Sequence, residues 1–282
     1  MRWRAVRCAG WVGRLPGAER APFPAIAEAA ASGVTAELFA DIRATVGVRV
    51  VNLVWRHLAT LDGALSWAWQ AVKPLYLQGM ADRAVVDFRR DMTVPKLGSL
   101  AGSEPASVDA VLASYDHSNT VNLFALGALV ARLRGDVAAE GTPEQGPRLP
   151  APDVDLPPLA SEADVSPETW QRVLRLNRLG DRPEPLILAS MYRHLAHAPV
   201  FLQRLEAALA PAQADGSLDQ AILANRHSAY RRARVLAQAI TADPPALAGQ
   251  IEVSVSAFVE HAIGKMVTIC RATRVARGAV SS

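Results

Sequence analysis

Apolar residues recur at three- and four-residue spacing along most of the chain, the period of a helix with one buried face. Leu38, Phe39 and Ile42 share one side of a helix that Thr35 can cap and that runs to about Thr45, with Gly47 as its break. Val48–Thr60 follows, with Leu53, Val54 and Leu58 as core candidates, and Asp62-Gly63 closes it. The pattern then holds from Ala64 to about Asp91 through Trp67, Trp69, Leu75 and Tyr76. Pro74 predicts a kink or split there, because it lacks a backbone donor and clashes with the preceding turn. Ser107–Tyr115 is a further helix, the polar run Asp116-His117-Ser118-Asn119 predicts a break, and Val121–Leu133 is an apolar helix. Ser166-Pro167-Glu168 opens the second half, followed by helical patterns over Leu186–His197, Pro199–Ala210, Leu218–Ile240 and Ile251–Arg271. The best period-2 alternation, Glu252–Ser256, lies inside a longer 3.6-residue pattern and reads as helix. The expected fold class is all-α.

The two halves also match each other. At a constant offset of 137 residues, Arg56-His57-Leu58-Ala59 falls on Arg193-His194-Leu195-Ala196, and Leu65 falls on Leu202. Pro74 meets Pro211, Gly79 meets Gly216, Asp82 meets Asp219 and Arg89 meets Arg226, while Trp55 faces Tyr192. Helicity alone does not demand a shared Pro, Gly or Arg-His-Leu-Ala run, so the pattern reads as an internal duplication. The expected architecture is a pseudo-dimer of two tandem helical repeats about an approximate two-fold axis. Residues 1–21 form a basic N-terminal extension, 22–134 the first repeat, 159–272 the second and 273–282 a tail. Between the repeats, 135–158 holds Pro143, Pro147, Pro150, Pro152, Pro157 and Pro158, and five acids against Arg148 alone. This is a Pro-rich linker that should not be helical.

Composition narrows the class. Half of the 282 residues are hydrophobic and 20% are charged, which is globular rather than disordered. A net charge of +3, with no basic face in the body, argues against nucleic acid. Cys8 and Cys270 form no CxxC and no metal spacing, which fits a reduced, cytoplasmic protein. No uninterrupted apolar run reaches the roughly 18 residues of a membrane span, and the basic start lacks the apolar stretch and cleavage site of a secretory leader. No membrane is expected as a partner.

Motifs for nucleotide, phosphate, acyl-transfer or zinc chemistry are absent. His194 and His197 share a helix face without a third ligand, so neither a metal nor another cofactor is expected. Arg56-His57 and Arg193-His194 fit either helix-surface charge or an anion site across the two-fold axis. Trp55, Trp67 and Trp69 fit core packing or a binding stripe. Asp116-His117-Ser118-Asn119 brings together an acid, a base and a hydroxyl, and serves equally as a helix cap.

Over about residues 23–272 the chain resembles the group I haloacid dehalogenases, the DehI family. The resemblance lies in Phe39-Ala40-Asp41-Ile42-Arg43, Arg56-His57-Leu58-Ala59-Thr60, Asn119, Leu156-Pro157-Pro158-Leu159 and Leu195-Ala196-His197-Ala198-Pro199. It implies an all-α pseudo-dimer and hydrolysis of 2-haloalkanoic acids of either chirality, in which an Asp activates water to attack C2 and displace halide without an ester intermediate. The position of that Asp, after Ser190, is Met191 here, or Ser190 itself if the alignment slips by one. The family's Asn is retained as Asn119, a family Tyr falls on Asn122, and a pocket aromatic pair falls on Val50 and Leu53. The expected ligand-binding set is therefore Asn119, Ser190, Met191, Val50, Leu53 and Asn122. Asp116, Glu260 and His194 are the candidates for a relocated base. A 2-haloacid hydrolase, a diverged hydrolase of another small acid and a non-catalytic binding protein remain open, as do a small carboxylic-acid ligand and a homodimer.

Overall fold

A computed structural model describes residues 23–180 and 186–280. The expectations for the 1–21 extension and for Cys8 lie outside the described residues. The described chain is helical throughout its regular structure, as its periodicity requires: α1 Gly33–Val46, α2 Leu53–Leu58, α3 Ala64–Leu77, α4 Met80–Asp91, α5 Ala106–Leu133, α6 Pro167–Asn177, α7 Ser190–Leu195, α8 Pro199–Ala214, α9 Ser217–Leu236, α10 Ala248–Ala257 and α11 Gly264–Ala276. A π-helical turn, Phe258–Ile263, joins α10 to α11 without a break. There is no strand among the described residues.

The expected break at 116–119 is absent, because α5 runs unbroken for 28 residues. Asp116, His117, Ser118 and Asn119 are all buried within it. Local propensity favours capping by such residues, but here tertiary partners take their polar groups. His117 Nε2 pairs with the Val46 carbonyl at 3.0 Å, and Asn119 Oδ1 accepts from Asn52 Nδ2 at 3.2 Å. Two apolar cores explain the pattern. Val108, Val111 and Leu112 of α5 belong to one, with α6, α7 and α8; Val121, Phe124 and Leu129 belong to the other, with α1 to α4. The polar run is the stretch where α5 passes between them. The α10–α11 stretch makes the same passage, with Ile251, Val255 and Phe258 in one core and Ile269 and Cys270 in the other. Residues 248–276 are long and apolar enough to cross a membrane by composition, but 67% of their most apolar 18-residue stretch is buried in the fold, as in a core helix.

The split expected at Pro74 falls five residues later. Pro74 sits inside α3, and the chain turns at Gly79, whose φ of 65° is left-handed. A Cβ there would lie 1.9 Å from the Gly146 carbonyl oxygen, so the 135–158 segment needs this glycine to pack. That segment is non-helical, as expected, and is bound rather than loose: Leu149 N donates to Asp82 Oδ1 at 2.9 Å and Arg148 donates to the Thr45 carbonyl. Gly79→Ala combines left-handed strain with a backbone clash and should cost about 2–4 kcal/mol. A urea titration reads this, and an unchanged midpoint would show that the segment shifts freely.

Smaller boundaries also move. Ser32, not Thr35, stands at the start of α1, and α2 is confined to Leu53–Leu58. Ser166 caps α6 by accepting from Thr169 N, as its sequence suggests. The helix expected to end at Arg271 continues to Ala276.

The elements at the 137-residue offset correspond closely. α2 and α7 fall on each other, and Gly79 and Gly216 both adopt left-handed φ before α4 and α9. His57 Nδ1 pairs with the Pro24 carbonyl at 2.7 Å and His194 Nδ1 with the Pro157 carbonyl at 2.6 Å. Trp55 and Tyr192, one in each core, are both fully buried.

Candidate functional site

A cavity of about 50 Å³ opens between the two cores. It holds on the order of a few water molecules or ligand heavy atoms without rearrangement. Residues 50–54, which lead into α2, form one wall, and residues 187–191, which lead into α7, form the other. These stretches are equivalent at the 137-residue offset. Ser114, Tyr115, Ser118 and Asn119 of α5 form a third side, and Phe258, Ala262, Ile263 and Met266 of the opposing long helix a fourth. The π-turn matters locally: it supplies three of these four residues, where its wider winding sets the side-chain directions.

The polar groups are few and ordered. Asn122, behind the lining, accepts from Trp55 Nε1 at 3.1 Å and Tyr76 Oη at 2.8 Å. Its amide donates to the Ser118 carbonyl at 2.7 Å and to Asn52 Oδ1 at 3.2 Å. Asn52 in turn donates to Asn119 Oδ1, which fixes the Asn119 amide and leaves its Nδ2 as a donor for a ligand. Ser190 and Tyr115 share the cavity wall, and burial pushes the Tyr115 phenol well above its ordinary value, so it is a proton donor rather than a base. Met191, fully buried, completes the wall beside Ser190.

Five of the six expected ligand-binding residues, Asn119, Ser190, Met191, Val50 and Leu53, therefore meet in one cavity. Asn122 stands one layer behind, as a support. The three candidate bases do not line it. Asp116 turns to the opposite side of α5, where its Oδ2 meets Arg274 at 2.5 Å, Arg89 at 3.2 Å and Arg271 at 3.8 Å. Glu260 is bound to Arg134 at 2.6 Å, beside Glu252. A carboxylate engaged in this way is a structural ion, not a free base. His194 lies nearer, with its ring 5.7 Å from that of Tyr115, but it is not part of the lining. Ser118, the hydroxyl of the 116–119 run, does line the cavity, whereas Tyr115, Asn52 and Ser114 were not candidates in the sequence pattern. For Asn52 a signal existed, since the offset places it on Ala189, beside Ser190.

Among the described residues, no cluster of His, Cys, Asp or Glu could hold a metal ion. Trp55 and Trp69 are core residues, with rings 5.4 Å apart and edge-on. Cys270 is a buried free thiol, pushed well up by burial and donating to the Leu112 carbonyl.

No family model and no curated protein matches the chain. Solved structures do. One is a D-2-haloacid dehalogenase mutant, with a TM-score of 0.68, 19% identity and coverage of 93% of this chain and 98% of that one. A second is a D-2-haloacid dehalogenase mutant in complex with D-2-CPA, with a TM-score of 0.67, 18% identity and coverage of 89% and 96%. A third is a D-2-haloacid dehalogenase in complex with L-LA, with a TM-score of 0.67, 19% identity and coverage of 93% and 98%. The fold is haloacid-dehalogenase-like. At this identity the likeness establishes the fold alone.

His194 carries a pH signature. Burial lowers its pKa from 6.5 to about 4, against the pull of the Pro157 carbonyl, so the folded state holds it neutral. The unfolded chain takes up this proton below about pH 6.5. The contribution of His194 is therefore complete above pH 6.5 and lost as pH falls towards 4, by up to about 3 kcal/mol. His117 is lowered by burial in the same direction and adds to the slope. Urea titrations at pH 7 and 4.5 should show this loss, reduced in His194→Gln. An equal loss in the variant would assign the slope elsewhere.

Proposed function

We propose that this chain is a diverged, internally duplicated relative of the haloacid dehalogenases that binds a small 2-substituted carboxylic acid in its central cavity and does not displace halide from it. The observation that carries the reading is the lining itself: among the described residues no carboxylate or imidazole joins Met191, the residue that the family resemblance aligns with the catalytic Asp, in the cavity wall. Direct attack by water on C2 needs a base within hydrogen-bond reach of that water. Ser190, Asn119 and Ser118 supply hydrogen bonds to a ligand, and Val50, Leu53, Met191 and Phe258 supply an apolar body, the usual division of a small-molecule site. The duplication is supported by the paired carbonyl contacts of His57 and His194, by Gly79 and Gly216, and by the two equivalent wall stretches.

The test is a thermal-shift titration of the full chain with 2-chloropropionate, lactate and propionate at constant ionic strength, beside a halide-release assay. A ligand at a hundred times its Kd stabilises the fold by about 2.7 kcal/mol. A rise in Tm without halide release is expected. No rise with any of the three acids would sink the binding reading, and halide release by the wild type would sink the non-dehalogenating one.

A second reading keeps hydrolysis, with His194 as base through a water beside Tyr115. It is favoured by His194 Nε2, which is buried and has no hydrogen-bond partner.

A further inference from the structure

Among the described residues, Arg56 and Arg193 belong to the minority of arginines that take no part in the ion pairs holding most guanidinium groups. Arg56 lies one turn after Leu53 on α2, and Arg193 one turn after Ser190 on α7. Leu53 and Ser190 both line the cavity, and a three-residue step keeps side chains on the same helical face. Each arginine is tethered in the same way. Arg56 Nε donates to the Ile26 carbonyl at 3.1 Å, and Ile26 N donates back to the Arg56 carbonyl at 3.0 Å. Arg193 Nε donates to the Ala160 carbonyl at 2.7 Å, and Ala160 N donates back at 3.4 Å. The tethers fix both guanidinium planes while leaving the terminal nitrogens without a carboxylate partner among the described residues.

The two charges also feel each other. Burial holds Arg193 below its ordinary value, and the neighbouring Arg56 lowers it further. Both guanidiniums act on the Tyr115 hydroxyl, which belongs to the cavity wall. The acid nearest in effect is Asp164, but its Oδ2 is already taken by Ser161 N at 2.7 Å and Ser161 Oγ at 2.6 Å. Two half-buried like charges, each one turn from a wall of the same cavity, are unfavourable until an anion joins them. Planar forks of this kind bind carboxylates and phosphates with paired hydrogen bonds.

We propose that Arg56 and Arg193 form a two-armed clamp for one oxyanion, the carboxylate of the cavity's ligand, one turn beyond the cavity lining and beside Tyr115. The proposal rests on the reading of the cavity as an organic-acid site and assigns the charge recognition that the uncharged lining lacks.

The experiment follows binding to the full chain by thermal shift at constant ionic strength, with three probes: 2-chloropropionate, the neutral 2-chloropropionamide and inorganic phosphate. Wild type is compared with Arg56→Gln, Arg193→Gln and the corresponding Lys variants. The acid should lose about tenfold or more in affinity in each variant, while the amide binds all of them alike. Equal acid binding by wild type and variants would overturn the clamp and leave the cavity reading standing. Phosphate binding that depends on both arginines, with neither cavity ligand bound, would support the oxyanion clamp and remove the cavity reading. No binding of any probe to the wild type would overturn both. If the Gln variants do not fold, the Lys variants decide on the same tenfold criterion, since they keep the charge and lose the fork.

Discussion

Asp116→Ala should destabilise the fold by about 3–5 kcal/mol, the range for removing one partner from a buried ion cluster. The carboxylate is 2% exposed and serves three guanidiniums through one oxygen, with Arg274 at 2.5 Å and Arg89 at 3.2 Å as the close pair. Without it, Arg89 and Arg274 remain as partly buried like charges between α4, α5 and α11. Asp116 thus ties the end of α4 and the last helix to α5 at the point where α5 leaves one core for the other. The cost belongs to the stranded cations as much as to the lost bonds, so Asp116→Ala combined with Arg274→Met should be more stable than additivity allows. Urea unfolding of the four proteins in this cycle measures the coupling. A loss under about 1 kcal/mol for Asp116→Ala would mean that water reaches the cluster and screens it.

The same cluster shows where sequence reading ends. The all-α class was legible because hydrophobic periodicity is local, and α6, α7 and α9 begin within a few residues of where their patterns do. The polar run at 116–119 was misread as a break because its partners come from distant parts of the chain: Val46 and Asn52 before it, Arg271 and Arg274 long after it. A local pattern registers a residue's capping preference and not the guanidinium that overrides it. For the same reason, three acid–base candidates chosen by residue type proved to be engaged or displaced, while the apolar and amide residues placed by family resemblance converged on the cavity. Pro74 and Gly79 give the converse case. Pro74 was visible as a helix breaker and Gly79 only as a position shared with Gly216, but the turn falls at the glycine because that is where the 135–158 segment crosses against the backbone.

Met191→Asp should convert a silent cavity into one that releases halide from racemic 2-chloropropionate. Met191 is fully buried, lines the cavity and adjoins Ser190, so a carboxylate there would stand beside the Asn119 amide and any water in the cavity. Burial raises the pKa of such an acid above its ordinary value of about 3.9 when desolvation outweighs the pull of the arginines one turn beyond the lining. The sign follows: the folded variant favours the protonated form, so its stability relative to wild type falls as pH rises from about 4 to the raised pKa, by about 2–4 kcal/mol at neutral pH. Activity should move the opposite way, rising with pH as the base form fills. The opposed profiles separate a working base from a merely disruptive charge, because disruption lowers stability and yields no halide. Release by the wild type at a comparable rate would mean that His194 or another group already supplies the base. Silence from a folded Met191→Asp variant would mean that a base alone does not supply the chemistry, and that the wall formed by Val50 and Leu53 shapes the cavity for something other than halide displacement.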